Sequence, residues 1–416
     1  MNAQKVSRER YDKLFRKLSQ VCELVRERGN EGCIVVFHDD ADGLASAAIL
    51  LSCLEKQGFH VERKICLEKF FPEVVRKLEA EYKRKVIFYL DIGAPHVRMI
   101  SQYNEGKNLV IILDHHDTMD YEDPLVLNLD PELMGISGEK EVSGATITYF
   151  FSKFLVKEML ESAHLAVIGS AEIPGVMRGL NRMALNDAVS TGRVKVSGHK
   201  TTERYLIQMR GRSYAHTELS KKLTVLGSVG YYQGGPELGI RACIEDFPQE
   251  ILKKANELEL KRKKANELLI TRLKSGGLRI FGEVQYFDSN DVFKNMGTKV
   301  IGTFCSYLSY KRWIHKDKYI IGFMLLKPEI PGFGNLNREY LKVSARVPPH
   351  LKERIERGEK PPLSYLIAEA CRKVGGFGDG HAVAASGVIP PEFKRKFLEE
   401  LNSLIKGWRH KNTLLA

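Results

Sequence analysis

Cys33-Ile34-Val35-Val36-Phe37-His38-Asp39-Asp40-Ala41-Asp42-Gly43 runs from an unbroken apolar stretch straight into a cluster of acids. Its first five residues have the composition of a strand buried on both faces, as strands of a parallel sheet are. Residues 44–54 follow as an alanine- and leucine-rich helix. The same order returns twice. Val86-Ile87-Phe88-Tyr89-Leu90 ends in Asp91, and Leu109-Val110-Ile111-Ile112-Leu113 ends in Asp114, which opens the triplet Asp114-His115-His116. Strand, acid, loop and helix in repetition predict an α/β fold with a doubly wound, mainly parallel sheet. Ligands of such sheets bind beyond the carboxyl ends of the strands, where all three acidic segments fall.

Working outward, residues 8–28 read as an amphipathic helix, with Tyr11, Leu14, Phe15, Leu18, Cys22 and Val25 at helical spacing. Residues 143–170 read as helical and apolar, and 180–245 as a mixed, largely helical region. Residues 250–274 form a charged helix containing Lys261-Arg262-Lys263-Lys264, ended by Gly276-Gly277. Beyond it the pattern turns to strands at 278–287, 319–326 and 340–347, then a helix at 363–374 and a glycine-rich loop at 375–387. The expected division is a first domain over 1–249, a helical connector over 250–275, and a second, smaller α/β domain over 276–416. A chain of 416 residues exceeds what one hydrophobic core usually supports.

The totals narrow the class. Residues 1–10 lack the apolar core of a signal peptide, and no run of apolar residues is long enough for a membrane helix. Seven cysteines, an odd number without a Cys-x-x-Cys pair, argue against a disulfide framework and a zinc ribbon. A reducing, cytoplasmic compartment is expected. The net charge of +12 suits a polyanionic substrate. Charge alone leaves nucleic acid and a merely basic soluble protein equally open.

Each motif has a functional and an ordinary reading. Asp40 and Asp42, two residues apart at a strand-to-helix turn, can reach two cations from one loop; Asp-x-Asp-Gly also occurs in plain turns. Asp91 stands between two other acids and could bridge two ions, or could simply cap a helix. Adjacent imidazoles directly after a buried strand are costly without partners. Neutral imidazole is a common metal ligand, and Asp114 can orient a ring as a hydrogen-bond acceptor.

Together the three segments, in this order, resemble the DHH phosphoesterase superfamily. It includes RecJ-type exonucleases, family II inorganic pyrophosphatases and oligonucleotide phosphodiesterases. Val374-Gly375-Gly376-Phe377-Gly378-Asp379-Gly380-His381-Ala382-Val383-Ala384-Ala385-Ser386-Gly387 looks like the Gly-Gly-His-x-x-Ala-Ala-Gly loop of the companion domain called DHHA1. Val343-Ser344-Ala345-Arg346 resembles the Ser-x-Arg strand of that domain. The undivided chain and Gly234-Gly235-Pro236-Glu237-Leu238 look most like archaeal RecJ-like nucleases.

The resemblance implies one cation at Asp40 and Asp91, with His38, and a second at Asp42, Asp91 and His115. His116 would face the scissile phosphate, with Asp114 in the catalytic set beside it. Ser344, Arg346, Gly378, Gly380 and His381 would bind substrate. The donor set suits two Mn²⁺ ions, or Mg²⁺, and two-metal hydrolysis by water without a covalent intermediate. In Gly169-Ser170-Ala171-Glu172-Ile173 an isoleucine holds the place of the family's fourth acid. Either Glu172 substitutes after a shift, or the second ion lacks a ligand. The implied function is an exonuclease on single-stranded DNA or RNA, with DNA and 3′→5′ polarity as the leading direction. It would act in replication or repair beside a helicase or GINS-type partner, away from membranes. The alternatives are a phosphodiesterase for oligonucleotides or cyclic dinucleotides, and a catalytically reduced replication scaffold.

Overall fold

In the computed structural model, residues 2–199 and 202–408 are described. The outer ends of the expected domains, Met1 and residues 409–416, lie outside the described residues. The chain forms two compact units: Met1–Leu258 with Ile330–Gly334, and Glu259–Glu329 with Asn335–Ala416.

The first unit begins with α1 (Asn2–Arg28), β1 (Cys33–His38), α2 (Ala41–Lys56), β2 (Val61–Leu67) and α3 (Pro72–Glu81). It continues with β3 (Val86–Leu90), α4 (Val97–Asn104), β4 (Leu109–Leu113) and β5 (Val126–Asn128). These five strands form one wholly parallel sheet in the order β2-β1-β3-β4-β5. The doubly wound parallel sheet is therefore present. β1 up to Phe37, β3 and β4 are apolar because both their faces are covered, and every residue of β3 and β4 is buried. The strand order reverses between β1 and β3, which makes their carboxyl ends the switch point where such sheets bind ligands. α5 (Gly144–Leu155) and α6 (Ala163–Gly169) pack with α2.

Part of the region expected to be largely helical is a sheet. After α7 (Gly179–Ser190), β6 (Val194–Ser197), β7 (Arg204–Met209) and β8 (Arg212–Ala215) form an antiparallel meander. Tyr205, Ile207 and Met209 point inward in alternation, a pattern hidden between flanking helices. Arg210 and Gly211, at φ 48° and 71°, make its two-residue turn, so this Arg-Gly pair is hairpin chemistry. α8 (His216–Thr224) and α9 (Gly235–Ile244) follow.

α10 (Gln249–Arg272) belongs to both units, and Gly276 at φ 104° helps end the turn after it. The second unit's sheet is built from β9 (Arg279–Phe281), β10 (Val284–Asp288), β11 (Tyr319–Leu326), β14 (Tyr340–Arg346), β15 (Phe377–Gly380) and β16 (Ala384–Ile389). Its order is β15-β16-β14-β11-β10-β9; a small ribbon, β12 (Glu329–Ile330) with β13 (Gly334–Asn335), lies outside it. The single strand expected at 278–287 is a hairpin broken at Gly282, where φ is 57°. The glycine segment expected as a loop is also a hairpin, β15 with β16. One face of the sheet packs Ile321, Val343 and Ala345 against Leu366 and Ile367 of α13 (Leu363–Lys373) and Phe397 of α14 (Lys394–Gly407). α11 (Lys299–Ser309) packs on β11 and β14, and α12 (Pro349–Glu356) follows β14. Among the described residues no helix is long and apolar enough to cross a membrane.

Candidate metal centre

β1, β3 and β4 stop in step. Phe37, Leu90 and Leu113 are register partners, so His38, Asp91 and Asp114 stand side by side at the carboxyl edge. β1 then turns into α2, whose N-terminus Asp40 caps by accepting a hydrogen bond from Gly43 N at 3.1 Å. Gly43 is obligatory, since a Cβ there would lie 2.3 Å from the His38 carbonyl oxygen. Asp91 is buried with φ at 57°. A left-handed conformation at a non-glycine residue is uncommon, and such strain clusters at functional sites.

These placements gather the donors. His38 Nδ1 lies 2.9 Å from Asp40 Oδ2 and 3.4 Å from Asp91 Oδ2. His115 Nε2 lies 3.3 Å from Asp91 Oδ1 and 3.5 Å from Asp42 Oδ2. His116 Nδ1 is 4.0 Å from Asp91 Oδ1. Two sets, His38–Asp40–Asp91 and Asp91–His115–His116, each bring their ligand atoms within 4.8 Å of one another. Asp91 belongs to both. Its Oδ1 is buried and makes no hydrogen bond. A buried carboxylate oxygen left in this way fits a cation.

The two imidazoles of the triplet are held differently. His115 Nδ1 meets the Gly138 carbonyl at 3.0 Å, which favours a proton on Nδ1 and leaves Nε2 facing the carboxylates. His116 Nδ1 is 2.7 Å from Asp114 Oδ1. Asp114 also accepts from Ala94 N at 2.9 Å and His115 N at 2.8 Å. Asp114 is thus an anchor for His116 and for the loop, and faces away from ligation.

Asp42 is also held from a second side. Its carboxylate accepts hydrogen bonds from Gly144 N at 2.8 Å, Ala145 N at 2.7 Å and the Ser143 hydroxyl at 3.0 Å. It is a counter-charge at the N-terminus of α5, with one oxygen turned toward His115. Glu172 is exposed, within hydrogen-bond reach of Thr224 Oγ1 at 3.4 Å, and belongs to neither donor set.

The charge of the site follows from this crowding. Burial opposes a charged imidazole, yet Asp40 and Asp91 hold His38 well above its ordinary value. Burial likewise opposes protonation of His115, but Asp91 and Asp42 raise it to about 10. Burial, then the Asp91 charge, pushes Asp42 up to about 7. Burial would raise Asp114 too, but His116 holds it at about 2. Imidazoles that keep protons this firmly mark concentrated negative charge, the condition a divalent cation needs.

Several residues here carried no clear sequence signal. Asp39 is fully buried, with Oδ1 3.4 Å from His38 Nε2. Asp130, just after β5, accepts from Glu132 N at 2.8 Å, while its Oδ2 is buried without a hydrogen bond. Burial and the Asp114 charge push it up to about 8. Its place after a fourth strand continues the strand-then-acid pattern, but β5 is too short to be read. Gly144 and Gly138 give the close approaches: a Cβ would meet Asp91 Oδ1 at 2.6 Å and the His115 carbonyl at 1.9 Å.

In the second unit, Arg346 and Ala384 are register partners, as are Ser344 and Ser386, and Gly380 and Ala385. Ser344 and Arg346 therefore share one region of the sheet with the glycine hairpin. Arg346 donates to the Ser306 hydroxyl at 2.8 Å and to the Ala345 carbonyl at 2.8 Å. His381 is exposed at the hairpin's turn. Gly378 pairs with Gly387 beneath Cys371, where a Cβ on Gly387 would lie 2.5 Å from its sulfur. These two glycines serve the seating of α13 on the sheet.

Residues 33–170 match the DHH family, N-terminal domain. The chain's fold is RecJ-like. RecJ from Thermus thermophilus in complex with Mn²⁺ superposes with a TM-score of 0.62 at 16% identity, over 96% of this chain. This chain spans 55% of the length of that protein. An exonuclease RecJ bound to manganese matches at 0.61 and 17% identity, over 95% of each chain. CDC45 from Entamoeba histolytica matches at 0.59 and 11% identity, over 94% of this chain and 99% of its own. At these identities the likeness is one of fold. No curated protein matches the chain.

Proposed function

We propose that this chain is a divalent-cation-dependent phosphoesterase that removes nucleotides from an end of single-stranded nucleic acid. The observation that carries the reading is Asp91, a strained, buried carboxylate shared by two donor sets. One Mn²⁺ or Mg²⁺ ion would be held by His38, Asp40 and Asp91. A second would be held by Asp91 and His115, with Asp42 completing its set. When bound, such ions activate water for in-line attack and neutralise charge on the phosphoryl oxygens.

The chain's own residues prepare the rest. The Gly138 carbonyl fixes the His115 ring, and Asp114 fixes His116 through Nδ1. The His116 side chain is 44% exposed, so Nε2 can donate to a phosphoryl oxygen. Ser344, Arg346, Gly380 and His381 bind the polyanion, with Gly378 shaping the hairpin that presents the last two. A chain with net charge +12 attracts such a substrate. DNA as substrate, 3′→5′ polarity, a cytoplasmic setting and a helicase or GINS-type partner in replication or repair complete this reading.

The test is digestion of single strands labelled at either end, with Mn²⁺, with EDTA, and with Asp40→Asn. Mononucleotide release that needs Mn²⁺ and Asp40 is expected, and the label lost first gives the polarity. A strong preference for dinucleotides over long strands would replace the exonuclease with an oligonucleotide phosphodiesterase. One observation favours a second reading, a catalytically reduced replication scaffold: Glu172 stands outside both donor sets. That reading prevails if the chain with Mn²⁺ cuts nothing.

A further inference from the structure

The segment Tyr310-Lys311-Arg312-Trp313-Ile314-His315-Lys316-Asp317-Lys318 joins α11 to β11 and has no part in the reading above. It presents aromatic rings and cations together. Tyr310 is 77% exposed, Tyr307 46% and Trp313 36%. Lys311 Nζ sits 3.8 Å from the centre of the Tyr307 ring. Between this segment and the start of α12 lies a cavity of about 280 Å³ lined by Tyr310, Lys311, Arg312, Lys316, Pro349 and His350, among others, with no carboxylate in its lining. The nearby Asp317 is paired, 2.9 Å from His350 Nδ1 and 3.5 Å from Arg354 Nη1.

The segment is also braced from below. Gln285 of β10, fully buried, donates to the carbonyls of His315 at 2.7 Å and Lys318 at 3.0 Å, and accepts from His315 N at 3.0 Å. One amide thereby fixes the backbone where the loop leads into β11, which lowers the cost of ordering it on binding. Along α11, Gly302 lies against Arg346 and Ser306 accepts its hydrogen bond. Ser309 and Tyr310 come one turn later, at about 1.5 Å of rise per residue. Ser309, which lines the cavity, thus stands one turn along α11 from Ser306, the residue that accepts from Arg346.

We propose that this platform is an additional subsite for single-stranded nucleic acid, gripping nucleotides beyond those held at Arg346. Rings with solvent-facing surfaces stack bases of any sequence, and interleaved cations track the backbone phosphates. Exposed aromatic surface that can stack bases, beside the cationic lining, favours this ligand over an acidic protein surface. The assignment rests on the nucleic-acid reading above, but not on hydrolysis.

The test measures binding of a fluorescein-labelled oligo(dT) of about 20 nucleotides by the full chain in EDTA, where no cutting occurs. Tyr310→Ala should weaken binding about 10-fold, and Tyr310→Phe should restore it, as loss and return of a stacked base would. Lys311→Gln with Arg312→Gln should weaken binding and reduce the slope of log affinity against log salt by about 1.4, the share of two phosphate contacts on a single strand. Melting temperatures report folding; should the double variant melt early, the tyrosine pair at its exposed position decides alone. Affinities of Tyr310→Ala and the double variant within two-fold of the parent would overturn the subsite and leave the platform to a protein partner. Failure of hydrolysis in Mn²⁺, with binding still sensitive to Tyr310, would sink the hydrolase reading and leave this one standing.

Discussion

Gly144→Ala isolates the placement of Asp91 from the identity of any ligand. A Cβ built on Gly144 lies 2.6 Å from Asp91 Oδ1, 2.7 Å from its Cβ and 2.9 Å from its Cγ. Ordinary van der Waals contact starts near 3.4 Å, so the two must separate by about 0.8 Å. Neither yields easily. Gly144 N and Ala145 N are tied to Asp42, and Asp91 N is tied to the Leu113 carbonyl at 2.8 Å. A displacement beyond about 0.5 Å exceeds what a catalytic constellation tolerates, and misplacement of about 1 Å can cost roughly 100-fold in rate. We expect Mn²⁺-dependent release of nucleotides to fall between about 10- and 100-fold, with a parallel loss of Mn²⁺ affinity by titration calorimetry. Overpacking costs about 1–3 kcal/mol, and alanine in place of glycine inside a helix returns up to about 1 kcal/mol. The melting temperature should therefore move only a few degrees. Parental rate and Mn²⁺ affinity in Gly144→Ala would refute the view that Asp91 must sit where it does.

Four further outcomes are expected. Burial raises the Glu79 carboxyl to about 7; the folded chain then holds a proton from about pH 4.5 to 7 that the unfolded chain releases, so stability falls across that window by roughly 3 kcal/mol. Glu79→Gln should flatten that slope in urea melts at pH 5 and 8, and an unchanged slope would contradict it. Asp114→Asn should lower hydrolysis about 10- to 100-fold by releasing His116, which steady-state rates on labelled strands will show. All seven cysteines are buried, and burial raises the thiols of Cys22, Cys33 and Cys53 to about 12; a chromogenic disulfide should label them within minutes only in urea, and rapid labelling of the native chain would count against this packing. Mn²⁺ at about 100 times its dissociation constant should stabilise the chain by roughly 2.7 kcal/mol, read as a rise in melting temperature that EDTA reverses.

The central strands were legible because β1, β3 and β4 are covered on both faces and appear as unbroken apolar runs, each ending in a motif residue. Edge strands carry no such mark. β2 reads Val-Glu-Arg-Lys-Ile-Cys-Leu, with only its last three residues buried. The β6–β8 meander was invisible because half-buried alternation in short strands is easily lost between helices. In the site, the residue types were legible and many of their hydrogen-bond partners were not. Asp42 gains its partners from Ser143 to Ala145, about a hundred positions away, and no local pattern announces them. Gly378 was expected to bind substrate, and no local pattern shows that a Cβ on it or on Gly387 would press on Cys371 where α13 seats on the sheet.

The shared register of Phe37, Leu90 and Leu113 also bears on the order of folding. His38, Asp91 and Asp114 come together only after three parallel strands, separated in the chain by long crossovers, have docked. Parallel pairing of this kind is slow, because chain entropy is lost before distant contacts form. A cation held there would consequently find no template in the early chain. A cation bound as proposed above would enter only after the sheet has closed, and would act as a late lock on the finished core.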